Sequence, residues 1–258
     1  MLTNTIYLRG LHMIIQDSSV NLMFNKIDNL KKTYILNEGI LKDSFNEATI
    51  LPIPDDAPTE IPRILMTSQK EHSQLSVGPE AITLQTTYDD AYNTNWDECE
   101  NYVRTRLDEV FLLSDKLTNS YNYIGMVVNL IIDNISEKAQ LQLFENLFKH
   151  KAVDNLDDIS VKYTYILEKK YYVNITVQSI RAFKNIAIQK AGMFSKDNIL
   201  SHTIGINLDI NDRCAFNYNS NYESSKEEFS KILEIMTNLI NNELDTIVSG
   251  GEVKWQKQ

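Results

Sequence analysis

The chain has 258 residues, 43% of them hydrophobic and 23% charged, with a net charge of −10; this is the balance of a globular protein, long enough for one large domain or two intimate ones. It is acidic and has no basic cluster. Nucleic acids and anionic membranes, which are held by Lys and Arg, are therefore not expected partners. The charge is uneven: from Glu71 to Val103 there is no Lys or Arg, while Glu71, Glu80, Asp89, Asp90, Asp97, Glu98 and Glu100 lie in that stretch.

In chain order, Thr5–Gln16 reads as a strand, with Arg9 and His12 inside its apolar run. Charges there argue against a signal peptide, and the chain is read as cytoplasmic. Ser19 to about Lys32 reads as a helix with Met23, Ile27 and Leu30 inward. All five prolines then fall between Pro52 and Pro79. In Pro52–Pro62 each ring fixes φ and disfavours helix for the residue before it, so the segment is extended or turning and is no central strand. It reads either as a rigid connection delivering Arg63 into a strand or as a docking segment. Arg63, fixed by Pro62, is expected to clamp a carboxylate, from Glu60 or from the 89–100 cluster.

Strand patterns follow at Arg63–Thr67, Ser73–Val77 and Ala81–Thr87, the last two separated by Gly78-Pro79. Asp89–Glu100 has acidic residues at the first and last positions of a calcium loop, but Ala91 stands at the third and Thr94 at the obligatory glycine. The better account is a helix capped by Thr94 or Asn95, with Asp97, Glu98 and Glu100 at its positive end. That helix runs to about Leu117, with Trp96, Cys99, Val103, Leu107, Val110 and Phe111 on one face.

The second half repeats the order. Tyr121–Asp133 is a strand, Ser136 caps a helix to about His150, and SVKYTYILE and YYVNITVQSI form a hairpin turning at Lys169–Lys170. Its tyrosines, Tyr163, Tyr165, Tyr171 and Tyr172, suit a sheet core and also an interface. A strand from His202 to about Ile210 precedes a helix from Ser224 or Ser225 to about Val248, ended by Gly250–Gly251. Asp209 and Asp212 read as a solvated strand end. The expected fold is thus α+β: two pseudo-symmetric β-α-β-β-β-α units, residues 1–118 and 119–258, with antiparallel sheet and long helices packed on one face.

Around the prolines the chain resembles a sporadically distributed prokaryotic family of similar length and unknown function. The matching residues are Asp56, Pro58, Glu60, Pro62 and Arg63, then Leu75, Leu84, Tyr92 and Trp96, with a weaker match over Gly205–Asp212 and the helix after it. Lys70-Glu71-His72 replaces the glycine-containing hairpin of that family, and Ile35–Phe45 matches nothing in it. The resemblance implies an architecture and a structural or interaction motif at Asp56, Pro58, Glu60, Pro62, Arg63, Tyr92 and Trp96, but no reaction.

No phosphate loop, nucleophile elbow, metalloprotease or paired-cysteine motif occurs; Cys99 and Cys214 read as packed thiols, and the four histidines are scattered. No catalytic, cofactor or metal residue is assigned. The expectation is a non-enzymatic interaction or scaffold protein that binds a protein partner or pairs with itself as a homodimer. The alternative is a small-molecule-binding protein or enzyme with a pocket between sheet and helices.

Overall fold

The computed structural model of the chain describes residues 12–133, 139–151, 155–183, 199–250 and 253. The fold is α+β and is built on one nine-stranded sheet, paired antiparallel throughout, in the order β2-β3-β4-β5-β1-β6-β9-β8-β7. The strands are β1 (His12–Met23), β2 (Thr49–Ile50), β3 (Ile64–Thr67), β4 (Ser73–Val77), β5 (Ala81–Thr87), β6 (Tyr123–Asp133), β7 (Ser160–Leu167), β8 (Tyr171–Phe183) and β9 (Ile199–Asn211). The helices are α1 (Leu30–Ile35), α2 (Trp96–Leu117), α3 (Ala139–Phe148), α4 (Arg213–Tyr218), α5 (Lys226–Asn238) and α6 (Leu244–Val248).

Alternation decides which side of each strand is buried. One row of facing residues runs Met66, Leu75, Leu84, Val20, Met126, Ile210, Val173 and Tyr165 across eight strands, and all but Tyr165 are buried. The next row, on the opposite face, runs Thr67, Gln74, Gln85, Ser19, Val127, Asp209, Asn174 and Thr164. One face is thus the floor of the apolar core and the other is polar. The stripes of α2 (Val103, Leu107, Val110) and α5 (Phe229, Ile232, Leu233, Met236) join the same core, α2 packing against β5 and α5 against β6 and β9. Each such side chain, once buried, is worth about 1.5–3 kcal/mol.

The expected helix over 19–32 is instead the second half of β1, and helix is confined to Leu30–Ile35. Ser18, Val20, Leu22 and Phe24 alternate inward, a period of two that the apolar spacing of Met23, Ile27 and Leu30 masks. A bulge between Ile15 and Asp17 lets the strand keep its apolar side on the core at both ends. The strand expected over Thr5–Leu11 and the helix cap expected at Ser136 lie outside the described residues. The expected continuous helix to 248 is divided by a π-helical turn at Leu239–Glu243, and Gly250 follows at φ 67°. Among the described residues no helix is long and apolar enough to cross a membrane.

Candidate functional site

In the proline stretch rings remove amide donors; the Pro54 and Pro58 carbonyls accept from the Ala57 and Ile61 amides (both 3.2 Å), and other carbonyl oxygens need a donor from a side chain. Arg63 supplies it. It is 1% exposed, and its guanidinium donates to the carbonyls of Ile61 (2.5 Å), Ala57 (2.9 Å) and Pro58 (3.4 Å). Its own backbone pairs with Val77 and Leu51, both at 2.8 Å, which ties the loop to the sheet edge. This corrects the expectation of a carboxylate clamp: the fixed fork is spent on backbone oxygens. Asp56, Pro58 and Glu60 are exposed, and Pro62 is half-buried. Asp56 and Arg63 nevertheless line one cleft of about 240 Å³ with Asp55, Asp28 and Lys26.

Tyr92 and Trp96 sit elsewhere, at the start of α2. Asn95 caps that helix, its side chain accepting from the Asp97 amide at 3.1 Å. Trp96 is buried, and its indole N–H donates to Thr237 of α5 (2.9 Å), whose hydroxyl donates to Glu100 (2.7 Å). Tyr92 packs edge-on to His72, with ring centroids 5.8 Å apart. The motif residues therefore divide into a loop clamp and a helix-to-helix link. The β3–β4 turn puts Glu71 at φ 60°, the conformation a glycine would take without strain.

The hairpin tyrosines also separate. Tyr171 is buried, and its hydroxyl donates to Glu228 at 2.6 Å, beside Lys170 at 2.5 Å. Tyr163 and Tyr165 lie on β7, whose one strand neighbour among the described residues is β8. Val161, Tyr163, Tyr165 and Leu167 point toward the core yet remain half-buried. A small cleft of about 80 Å³ lies beside them, lined by Leu147, Ile247, Gly250 and Val253. The turn feeding β8 is a tight one of three residues, with Glu168 and Lys169 both at positive φ as in a type I′ turn and the Lys170 amide closing on the Leu167 carbonyl at 2.8 Å.

A constellation not expected from the sequence surrounds Asp212. Read as solvated, Asp212 is 0% exposed. Its carboxylate accepts from the Ile124 amide (2.7 Å), the Tyr222 hydroxyl (2.7 Å) and the Ser224 hydroxyl. Burial raises its pKa, those three donors opposing the rise, and burial likewise raises the phenols of Tyr171 and Tyr222. A signal for this was present: Ile204, Ile206, Leu208 and Ile210 face inward, and period two puts Asp212 next in that series. The group resembles a nucleophile site only in its residue types. The Ser224 hydroxyl is used as a donor to Asp212 and is 5% exposed, and no histidine stands among the partners.

Wider clefts also lie among the described residues. One, of about 460 Å³, lies between α2 and the start of α5, where Lys226 pairs with Asp108 at 2.7 Å. Another, of about 450 Å³, is on the polar face over β3, β4 and β5. Among the described residues no group of His, Cys, Asp and Glu side chains is arranged to hold a metal ion. No family model matches the chain, and no curated protein does.

Proposed function

We propose that the protein is a non-enzymatic interaction protein that pairs with a second copy of itself through the free edge of β7. The observation that carries this reading is the half-buried stripe Val161, Tyr163, Tyr165 and Leu167 on a strand with one neighbour among the described residues. An open edge presents unpaired N–H and C=O groups and is normally guarded by proline, bulges or inward charges. β7 has no proline, its register with β8 is unbroken, and its charged residue, Lys162, is on the polar side.

Two identical antiparallel edges meet naturally about a two-fold axis, the commonest symmetry of soluble oligomers. A register centred on Thr164 sets Tyr163 against Tyr165 and Val161 against Leu167, and Lys162 against Ile166 rather than against another lysine. Cross-strand aromatic and aliphatic pairs of this kind each add about 0.2–1 kcal/mol.

The strand order supports the finer reading of the fold as part of this proposal. Outward from the central pair, β1-β5-β4-β3 on one side answers β6-β9-β8-β7 on the other. Two pseudo-symmetric β-α-β-β-β-α units, with α2 and α5 in equivalent places on one face, account for that order, and the likeness to the prokaryotic family belongs to the same reading. Among the described residues β3 has β2 beyond it and β7 has no such cover, which supports β7 as the pairing edge.

Light scattering across a wide concentration range tests the pairing. A dimer is expected, and proline at either Tyr163 or Thr164, whichever amide points away from β8, yields a folded monomer. A strictly monomeric wild-type chain would falsify the proposal.

A further inference from the structure

The polar face of the sheet disposes of its hydrogen-bonding groups in two ways. From β1 to β7 they bond to one another. Asn129 donates to Asp17 (2.7 Å), Asn207 to Asn129 (2.8 Å), Asn174 to Asp209 (3.1 Å) and Thr164 to the Asn174 carbonyl oxygen (2.9 Å). Such a ladder is closed, and a ligand reaching it must first break bonds the protein already makes.

From β3 to β5 most are left open; Thr83 alone of the groove floor is bonded, donating to Asn21 at 2.8 Å. Gln74 stands opposite Gln85 and Ser76 opposite Thr83, and the side chains of Gln74, Ser76 and Gln85 have no hydrogen-bond partner among the described residues. They floor the groove of about 450 Å³, a size within the ordinary range of small-molecule sites. The charged residues lining it are Glu47 and Glu71, and no Lys or Arg does. Among the described residues neither carboxylate has an ion-pair partner. Leu65, 38% exposed, adds an aliphatic surface to the same wall.

We propose that this groove binds a small aliphatic polyamine. The charges of the lining select a cation. Protonated amines carry donors only, and the groove offers carboxylate, amide and hydroxyl oxygens to receive them. Methylene segments between the amines match Leu65. A neutral sugar offers no charge to answer Glu47 and Glu71, so it gains nothing from the feature that distinguishes this lining. The groove lies at the opposite end of the sheet from β7, so this inference stands independently of the pairing proposal. It also gives a role to Glu71, which belongs to the Lys- and Arg-free stretch.

Titration calorimetry of the full chain with spermidine is the test, paired with amide chemical-shift mapping. Saturable binding at one site is expected, with shifts grouped on β3, β4 and β5. The double change Glu47→Gln/Glu71→Gln should weaken it by about tenfold or more, while Glu227→Gln/Asp245→Asn, equal in charge but remote, leaves it unchanged. Glu71→Gly removes the carboxylate and relieves the positive φ, so its loss of binding is not a loss of folding. Spermidine acetylated at both ends should bind more weakly. Equal weakening by the remote and groove variants, shifts spread over the acidic surface, or undiminished binding of the acetylated form would each overturn the site.

Discussion

Arg63 and Asp212 are opposite cases of one rule, that a buried charge persists only where dipoles or donors replace water. Arg63 gives its fork to the carbonyls of Ala57, Pro58 and Ile61. Arg63→Met keeps the aliphatic stem and removes those donors. The expected cost is about 1–3 kcal/mol, with faster hydrogen–deuterium exchange over Ala57–Arg63. A variant with wild-type exchange in that loop would show that the prolines alone hold it. That Arg63 is fixed was legible from Pro62; its partners were not, because backbone carbonyls leave no mark in a sequence.

The pKa of Asp212 is shifted in the direction opposite to that of a salt-bridged carboxylate. Burial raises its pKa above the ordinary 3.8, so the folded state holds the proton to higher pH than the unfolded chain. Its contribution to stability is then fully present below 3.8 and is lost as pH rises through the folded value. Chemical denaturation of wild type and Asp212→Asn from neutral to acid pH should show the wild type gaining on the variant as pH falls. A difference independent of pH would contradict the burial. The sequence concealed this because one donor is the Ile124 amide, brought alongside only when β6 pairs with β9.

At the scale of elements, local chemistry was readable wherever one signal acted alone. The strands from Ile64 to Thr87 are bounded by turn residues, and α2 announces itself by a cap and an apolar stripe. Asn95→Ala should cost about 1 kcal/mol, lowering the melting temperature by roughly 2–4 °C for a chain of this size class. No change would mean that Trp96 and its bond to Thr237 anchor the helix start without the cap. β1 was misread for a physical reason. Its inward residues include Ser18, which satisfies itself through the Tyr88 hydroxyl at 2.7 Å, so a polar residue occupies a core position and breaks the apolar alternation.

For the whole molecule, the central event is the pairing of β1 with β6, which aligns Asn21 with Gly125 and fuses the strands of both halves into one sheet. Hydrophobic periods revealed the order of elements in each half; they carry no information about which strands meet across more than a hundred residues. They were equally silent on the two ends of the sheet, and the account of function rests on those ends. Single cysteines at Lys162, Thr164 and Ile166, all on the polar side of β7, probe the free edge directly, since Cys99 and Cys214 are buried and unpaired. Directly opposed residues in antiparallel strands come within disulfide reach. Mild oxidation is predicted to cross-link Thr164→Cys into a dimer far more readily than either flanking variant, and three variants that all remain monomeric would contradict pairing through β7.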